Sequence, residues 1–376
     1  MQALPQRINL RRYFQRISQA LSNRLLSARD KLQLISSNLW GFLHAFTRDD
    51  PAKSFRNLES QIARIAALAG GTVGAVALHL ETGQKVSFNE TIRFPMASTV
   101  KVPIAVRVLE RVDRGELGLD DLIPITPYDI RPGSGILSSR FRIPGIQVSV
   151  RNLIELMLEI SDNTASDLLL ALAGGVQVVN KCLSVRGITG MSIDRSTLQL
   201  IADLEGVRDI PMGLDLKPAQ WSGIKKAIPA EQWRNASGTF LLDARDTSTA
   251  DAMVCLLAAI ARGQMLSSQQ TSLLLDIMAQ CKTGANRLKG RLPSNTLVSH
   301  KTGFLPGSPD EGTYRPRALN DVGIIKLPNG LGHIVIAVFI MKSHRLHQAL
   351  DWVIARIARV AYDYFLKYAK DIHCPN

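Results

Sequence analysis

Ser98 and Lys101 stand three residues apart in the stretch Met96-Ala97-Ser98-Thr99-Val100-Lys101-Val102-Pro103, ahead of an apolar run containing Ile104, Val106, Val108 and Leu109. On a helix, residues i and i+3 share a face, so the spacing sets the Lys101 amine beside the Ser98 hydroxyl. An amine withdrawn from water holds its proton less tightly and can act as a base. A serine at the head of a helix also meets backbone N–H groups that lack an intrahelical partner and suit a developing oxyanion. The pattern therefore allows acyl transfer to a serine. On its own it reads equally as a solvated helix face.

Two further triplets give it context. Ser161-Asp162-Asn163 lies 63 residues after Ser98, at the end of a helical run with Leu153, Ile154, Met157 and Ile160. Lys301-Thr302-Gly303 follows a short strand-like run, Thr296-Leu297-Val298. Taken singly these read as a helix cap and a strand end. In this order, Ser-x-x-Lys, Ser-Asp-Asn and Lys-Thr-Gly form the signature of class A β-lactamases and penicillin-binding proteins. Over about residues 55–368 the chain resembles a class A β-lactamase.

The resemblance implies a role for each residue. Ser98 is the acylated nucleophile, and Lys101 helps remove its proton. Ser161 passes a proton to the leaving nitrogen, and Asn163 binds the acylamino side chain of the substrate. Lys301 and Thr302 receive the substrate carboxylate, while Gly303 lets the substrate approach the strand backbone. The backbone N–H groups of Ser98 and Phe304 make the oxyanion hole. Family members steady the carboxylate with an arginine from one of two places. One is the strand after the hairpin, where this chain has His333; the other is a Thr-Gly-x-x-Arg stretch ahead of Leu-Pro. Thr283-Gly284-Ala285-Asn286-Arg287, followed by Leu292-Pro293, assigns Arg287, with a plain surface arginine as the alternative.

The chain departs from the family at the Ω-loop. There an arginine opens the loop, a glutamate two residues later activates the deacylating water, and an Arg-Asp-Thr-Thr stretch closes it. Here Asp194-Arg195-Ser196-Thr197 matches the start and Arg245-Asp246-Thr247-Ser248 the end, so Arg195 and Asp246 are expected to pair across the neck. About 50 residues intervene, and Thr197 takes the place of the glutamate. Glu231, four residues before Asn235, reproduces the family's Glu-x-x-x-Asn spacing and is the first candidate for the base; Glu205 is the second. For either, the alternative is a solvated loop carboxylate.

Those residues need a scaffold. A short helix over 61–68 precedes strands over 72–80 and 85–89, with Glu81-Thr82-Gly83 as the turn between them. Apolar helices are expected over 150–160 and 164–173, flanking the Ser-Asp-Asn corner, then over 248–262 and 269–280. Strands over 321–327 and 333–341 meet through Pro328-Asn329-Gly330, a hairpin signal, before a last helix over 344–367. The expected fold class is α+β and two-lobed: an antiparallel sheet with flanking helices, an all-α lobe, and the active site between them. The expected organisation is an arm over 1–54, a sheet lobe over 55–95 and 295–368, an α lobe over 96–294, and a tail over 369–376.

Composition narrows the partners. With 376 residues and 46% hydrophobic content, the chain can bury a large core. Of its net charge of +13, residues 1–53 supply nine Lys/Arg against three Asp/Glu, or +6. Aromatic and basic residues are not interleaved as in nucleic-acid grooves, so no nucleic-acid partner is expected. Leu10, Phe14, Ile17, Leu21 and Leu25 fall at helical spacing among arginines, a basic amphipathic helix that could lie on an anionic membrane surface or pack loosely as an arm. No signal peptide of ordinary form is visible, and no run reaches the length of a transmembrane helix. Family resemblance nonetheless implies a periplasmic or extracytoplasmic enzyme. Cys182, Cys255, Cys281 and Cys374 show no metal-ligand spacing, and no cofactor is expected. The expected activity is β-lactam hydrolysis by a monomer. The alternative is a penicillin-binding protein, a DD-peptidase on peptidoglycan stem peptides, or an acyl-trapping sensor that deacylates slowly.

Overall fold

The uninterrupted apolar run from Ile334 to Met341 is strand material that has to be covered on both faces, and it lies at the centre of the sheet. The computed structural model describes residues 51–141, 145–207, 218–307 and 315–373. The chain divides into two compact units, Met1–Asn57 and Leu58–Asn376. The amphipathic segment over 10–25 and Cys374 lie outside the described residues. In the first unit, what is described is the start of the helix Pro51–Ala67.

Nine strands are described: β1 Thr72–His79, β2 Lys85–Phe88, β3 Phe94–Pro95, β4 Leu122–Pro124, β5 Gln147–Ser149, β6 Thr247–Ser248, β7 Val298–Leu305, β8 Ala318–Lys326 and β9 His333–Met341. Five form one sheet in the order β2-β1-β9-β8-β7, with every neighbour antiparallel. The first strand thus lies beside the last, with Thr72 opposite Met341. The helix Ala250–Ala261 and the final helix, His347–His373, both pack on β9, which explains why its residues are buried on alternate sides alike. Pro328-Asn329-Gly330 joins β8 to β9 in a single 3₁₀ turn, with Asn329 (φ 56°) and Gly330 (φ 71°) in the left-handed region.

The helical part follows the apolar periodicity closely. Val150–Glu159 and Asn163–Leu172 flank the Ser-Asp-Asn corner, and Ala250–Ala261 and Ser268–Ala279 follow later. Three elements differ from the sequence reading. Lys301-Thr302-Gly303 lies inside β7 rather than after it, since pairing to β8 carries the strand through to Leu305. The final helix continues through most of the expected tail, to His373. The described residues of the expected long Ω-loop contain three helices, Thr197–Glu205, Pro218–Ala227 and Ala230–Phe240. Among the described residues no single helix is long and apolar enough to cross a membrane.

Candidate active site

Ser98 occupies a 3₁₀ turn, Ala97–Val100, that runs directly into the helix Lys101–Asp113. The residue before it, Ala97, holds φ 48°, a left-handed backbone that costs a non-glycine residue energy and that the surroundings must enforce. Enforcement comes from the sheet. The Met96 carbonyl accepts from the Asn320 side chain of β8 (3.0 Å) and from the Thr99 hydroxyl (2.8 Å), while Met96 N–H donates to the Asp246 carbonyl (2.9 Å). Gly303 of β7 lies so close that a Cβ there would stand 2.6 Å from the Met96 carbonyl oxygen. The Lys-Thr-Gly glycine is therefore needed to seat the strand against the nucleophile turn.

Lys101 is the junction of the site. It is 1% exposed, and its amine donates to the Ser161 carbonyl (2.6 Å), the Ser161 hydroxyl (3.0 Å) and Asn163 Oδ1 (3.0 Å). Burial, reinforced by the charge of Lys301 and opposed by Asp162 and Asp167, holds it well below the ordinary lysine range. Lys301, also fully buried, reaches the same Ser161 hydroxyl from the other side at 3.2 Å and donates to the Thr302 carbonyl at 3.0 Å. Burial lowers it to about 8, with Arg287 adding to the shift and Cys281 and Asp321 resisting it. One hydroxyl thus stands between two amines with weakened hold on their protons, an arrangement able to relay a proton.

Ser161 and its neighbours owe their places to Asp162. This residue caps the helix Asn163–Leu172 by accepting from Ala165 N–H (3.0 Å), and its other oxygen takes the N–H groups of Ile136 (2.8 Å) and Leu137 (2.9 Å). The middle residue of Ser-Asp-Asn is thus a structural anchor that ties the 130s segment to the corner. Asn163 splits its amide: the oxygen faces Lys101 and the nitrogen donates to the Pro132 carbonyl at 2.8 Å.

A cavity of about 510 Å³ opens beside them; Ser161, Lys301 and Thr302 are not among the residues lining it. Ser98, Lys101 and Asn163 line it on one side, and Phe304, Leu305 and Pro306 at the β7 end. Thr197, Leu200, Ile201, Leu204 and Glu205 line it from Thr197–Glu205, and Trp221 and Lys225 from Pro218–Ala227. The long insertion is therefore a wall of the cleft. Its neck is closed as the sequence suggests, by Arg195 (3% side-chain exposure), which donates to Asp246 at 2.5 Å and to Asp203 at 2.7 Å.

The candidate bases fall in different places. Thr197 begins its helix with its N–H bound to Asp167 Oδ1 at 2.6 Å, and it lines the cleft without offering a carboxylate. Glu231 stands exposed on the first turn of Ala230–Phe240 and is not among the residues lining the cavity. The structure does not bring it to Ser98, because the segment that carries it coils into a helix instead of folding back over the site. Glu205 does line the cavity; its two oxygens accept from Trp221 Nε1 (2.8 Å) and Lys225 Nζ (2.6 Å).

Arg287 is buried behind β7. It pairs with Asp351 at 2.8 Å and donates to the carbonyls of Gly303 (3.1 Å) and Asn320 (3.0 Å). These bonds make it a clamp on the Lys-Thr-Gly strand, and it is not among the residues lining the cavity. His333 pairs with Glu81 at 2.8 Å and is 40% exposed. The sequence reading passed over a further group: the Thr302 hydroxyl meets Thr283 at 2.5 Å, and Thr283 meets the Cys281 thiol at 3.3 Å. The spacing Cys281-x-Thr283 against His300-x-Thr302 was a visible signal for it. Cys182, Cys255 and Cys281 are free thiols.

Comparisons with known proteins agree with this geometry. The β-lactamase VEB-1 of Pseudomonas aeruginosa is 29% identical over 310 residues, 82% of this chain and 91% of that protein. The solved structure of a β-lactamase from Chitinophaga pinensis matches with a TM-score of 0.67 at 30% identity, over 82% of this chain and 98% of that one. A class A β-lactamase from Bacteroides cellulosilyticus matches with a TM-score of 0.67 at 26% identity, over 84% and 99%. The family model described as the β-lactamase enzyme family spans residues 57–365, sheet and helices together, and the chain belongs to that family.

Proposed function

We propose that this protein hydrolyses β-lactams through an acyl-enzyme on Ser98. The observation that carries the reading is the buried Lys101 amine, stripped of its ordinary proton affinity and held on Ser161 and Asn163 in the cleft that Ser98 lines. Ser98 Oγ attacks the lactam carbonyl while Lys101 takes its proton. The proton then passes through Ser161 to the departing ring nitrogen, which opens the ring. The N–H groups of Ser98 and Phe304 receive the oxyanion, Lys301 and Thr302 the substrate carboxylate, and Asn163 the acylamino group. Arg287 acts by holding the Gly303 carbonyl and so the line of β7. The reaction as written needs no cofactor.

Deacylation requires a base beside the ester. We assign Glu205, the glutamate that lines the cavity, in place of Glu231, which does not. Each Glu205 oxygen already accepts one hydrogen bond, from Trp221 or Lys225, and keeps a further lone pair with which to accept from water. That engagement favours a second reading, an acyl-trapping or peptidoglycan-binding protein that takes stem peptides and deacylates slowly. Mass spectrometry of the protein mixed with a penicillin separates the two. Hydrolysis predicts an adduct on Ser98 that forms and clears; trapping predicts one that persists for hours; no adduct overturns both. By the same family reading the enzyme works outside the cytoplasm; as separate proposals from its charge pattern, it has no nucleic-acid partner, and residues 1–50 either touch an anionic membrane surface or pack loosely as an arm.

A further inference from the structure

The helix Pro218–Ala227, part of the insertion, carries two adjacent rows of side chains. Trp221 and Lys225 stand four residues apart, and so do Ser222 and Lys226, so each pair stacks along one helical face. Trp221 is 4% exposed and packs with Ala202, Val207 and Ile201, which fixes the helix against Thr197–Glu205. Trp221 and Lys225 line the cavity that Ser98 lines. They also line a second cavity of about 570 Å³, and Pro132 and Gly133 border both. The second cavity adds three serines and Lys226, and no carboxylate among the described residues lines it.

The divide between the two cavities is tied to the substrate site. Asn163 donates to the Pro132 carbonyl at 2.8 Å, and a Cβ on Gly133 would stand 2.8 Å from the same amide nitrogen. Asp162 holds the next turn by accepting from the Ile136 and Leu137 N–H groups. A substrate whose acylamino group meets Asn163 therefore sends its side chain past Pro132-Gly133, towards Trp221 and the second cavity. The two lysines there differ. Lys225 pairs with Glu205 at 2.6 Å, so its charge is met. Lys226 is exposed and makes no ion pair among the described residues. An uncompensated ammonium beside hydroxyls favours an anion over a neutral group of the same shape.

We propose that this second cavity is an anion-accepting subsite for the distal end of the substrate's acyl side chain, with Lys226 as its specificity-determining cation. The preferred substrates are β-lactams whose acyl side chain ends in a carboxylate. The proposal rests on the β-lactam reading, because that reading places the acylamino group at Asn163. It goes further by naming a substrate class and by giving the insertion a task, since Pro218–Ala227 supplies one wall of the cavity and both of its lysines.

The test uses matched pairs: cephalosporins acylated with glutaric or adipic acid, each against its terminal amide. Both members of a pair carry the ring carboxylate, so its contacts with Lys301 and Thr302 cancel. Acylation of Ser98 is followed by mass spectrometry. In at least one pair the acid should acylate about threefold to fivefold faster than the amide, the scale of a solvent-exposed ion pair. Salt screens such a charge, so the preference should shrink at roughly 1 M sodium chloride. Lys226→Met should remove the preference, and Lys226→Glu should reverse it. Equal rates within both pairs at low salt, or a preference that Lys226→Met leaves unchanged, overturns the proposal. Benzylpenicillin, whose side chain is uncharged, separates that failure from a failure of the underlying reading. If it acylates Ser98 while the pairs show no preference, the subsite alone falls. If neither it nor any of the cephalosporins acylates Ser98, the β-lactam reading falls and the subsite with it.

Discussion

Lys101 and Ser161 are joined twice, through the Ser161 carbonyl at 2.6 Å and its hydroxyl at 3.0 Å. The double contact depends on Ser161 holding φ 63°, a left-handed backbone that swings carbonyl and side chain together towards the amine. The serine of Ser-Asp-Asn is thus a backbone device as well as a hydroxyl. Two consequences for mutants follow from that.

Ser161→Gly removes the hydroxyl but suits the left-handed backbone, where glycine is not penalised. It should slow penicillin acylation by about 10²-fold, the scale of a lost proton-transfer group. Its melting temperature should stay within a few degrees of the parent's. Ser161→Val puts a branched residue at the same φ and should lower the melting temperature clearly. Equal melting temperatures would remove the backbone argument.

Ser98→Ala should abolish covalent labelling by a fluorescent penicillin while circular dichroism stays unchanged. Lys101→Ala should label, but slower by about 10²-fold or more. Persistent labelling of Ser98→Ala would move the nucleophile elsewhere.

Acylation by a carboxylate-bearing penicillin should lose rate as pH rises through about 8, the value to which burial lowers Lys301. The sign follows from the charge. Below that pH the ammonium attracts the carboxylate; above it the neutral amine does not. The limb should be measured on kcat/KM, which reports groups of the free enzyme. A rate that holds steady to pH 10 would rule out Lys301 as the carboxylate's cation.

Arg287→Ala should lower stability by about 1.5–3 kcal/mol, the range for a lost hydrogen bond to a charged group, by leaving Asp351 and the Gly303 carbonyl unpaired, and should weaken kcat/KM indirectly as β7 loosens. Asp351→Asn should reproduce part of the stability loss. His333→Ala, at an exposed pair with Glu81, should change kcat/KM little. Equal kinetic effects from Arg287 and His333 would contradict the clamp.

Glu205→Gln should acylate normally and accumulate adduct in a time-resolved mass spectrum, whereas Glu231→Gln should behave as the parent. If Glu231→Gln alone accumulates adduct, the base lies on the helix Ala230–Phe240 and the assignment to the cleft wall is wrong. Lys225→Met, which frees one Glu205 oxygen, should speed clearance.

The local structure was legible in the sequence because it is set over short distances. Ser-x-x-Lys puts two side chains on one helical face by geometry alone, Asp162 caps the helix it precedes, and the runs at 72–79 and 333–341 can hardly be anything but strands. The pairing of Arg195 with Asp246 followed from their motifs. What the sequence left open depends on contacts between segments far apart in the chain. Glu231 has the family's spacing to Asn235, yet spacing does not say whether a segment arches over the cleft or coils; here it coils, and Glu205 lines the wall instead. Arg287 was found by its motif, but only packing turned it onto Asp351 and the Gly303 carbonyl. The hydrogen bonds Cys281–Thr283–Thr302 join a turn to β7, and His300–Asp321 joins β7 to β8, so no single stretch of sequence displays them. Burial lowers Lys101 and Lys301, and burial belongs to the folded molecule alone.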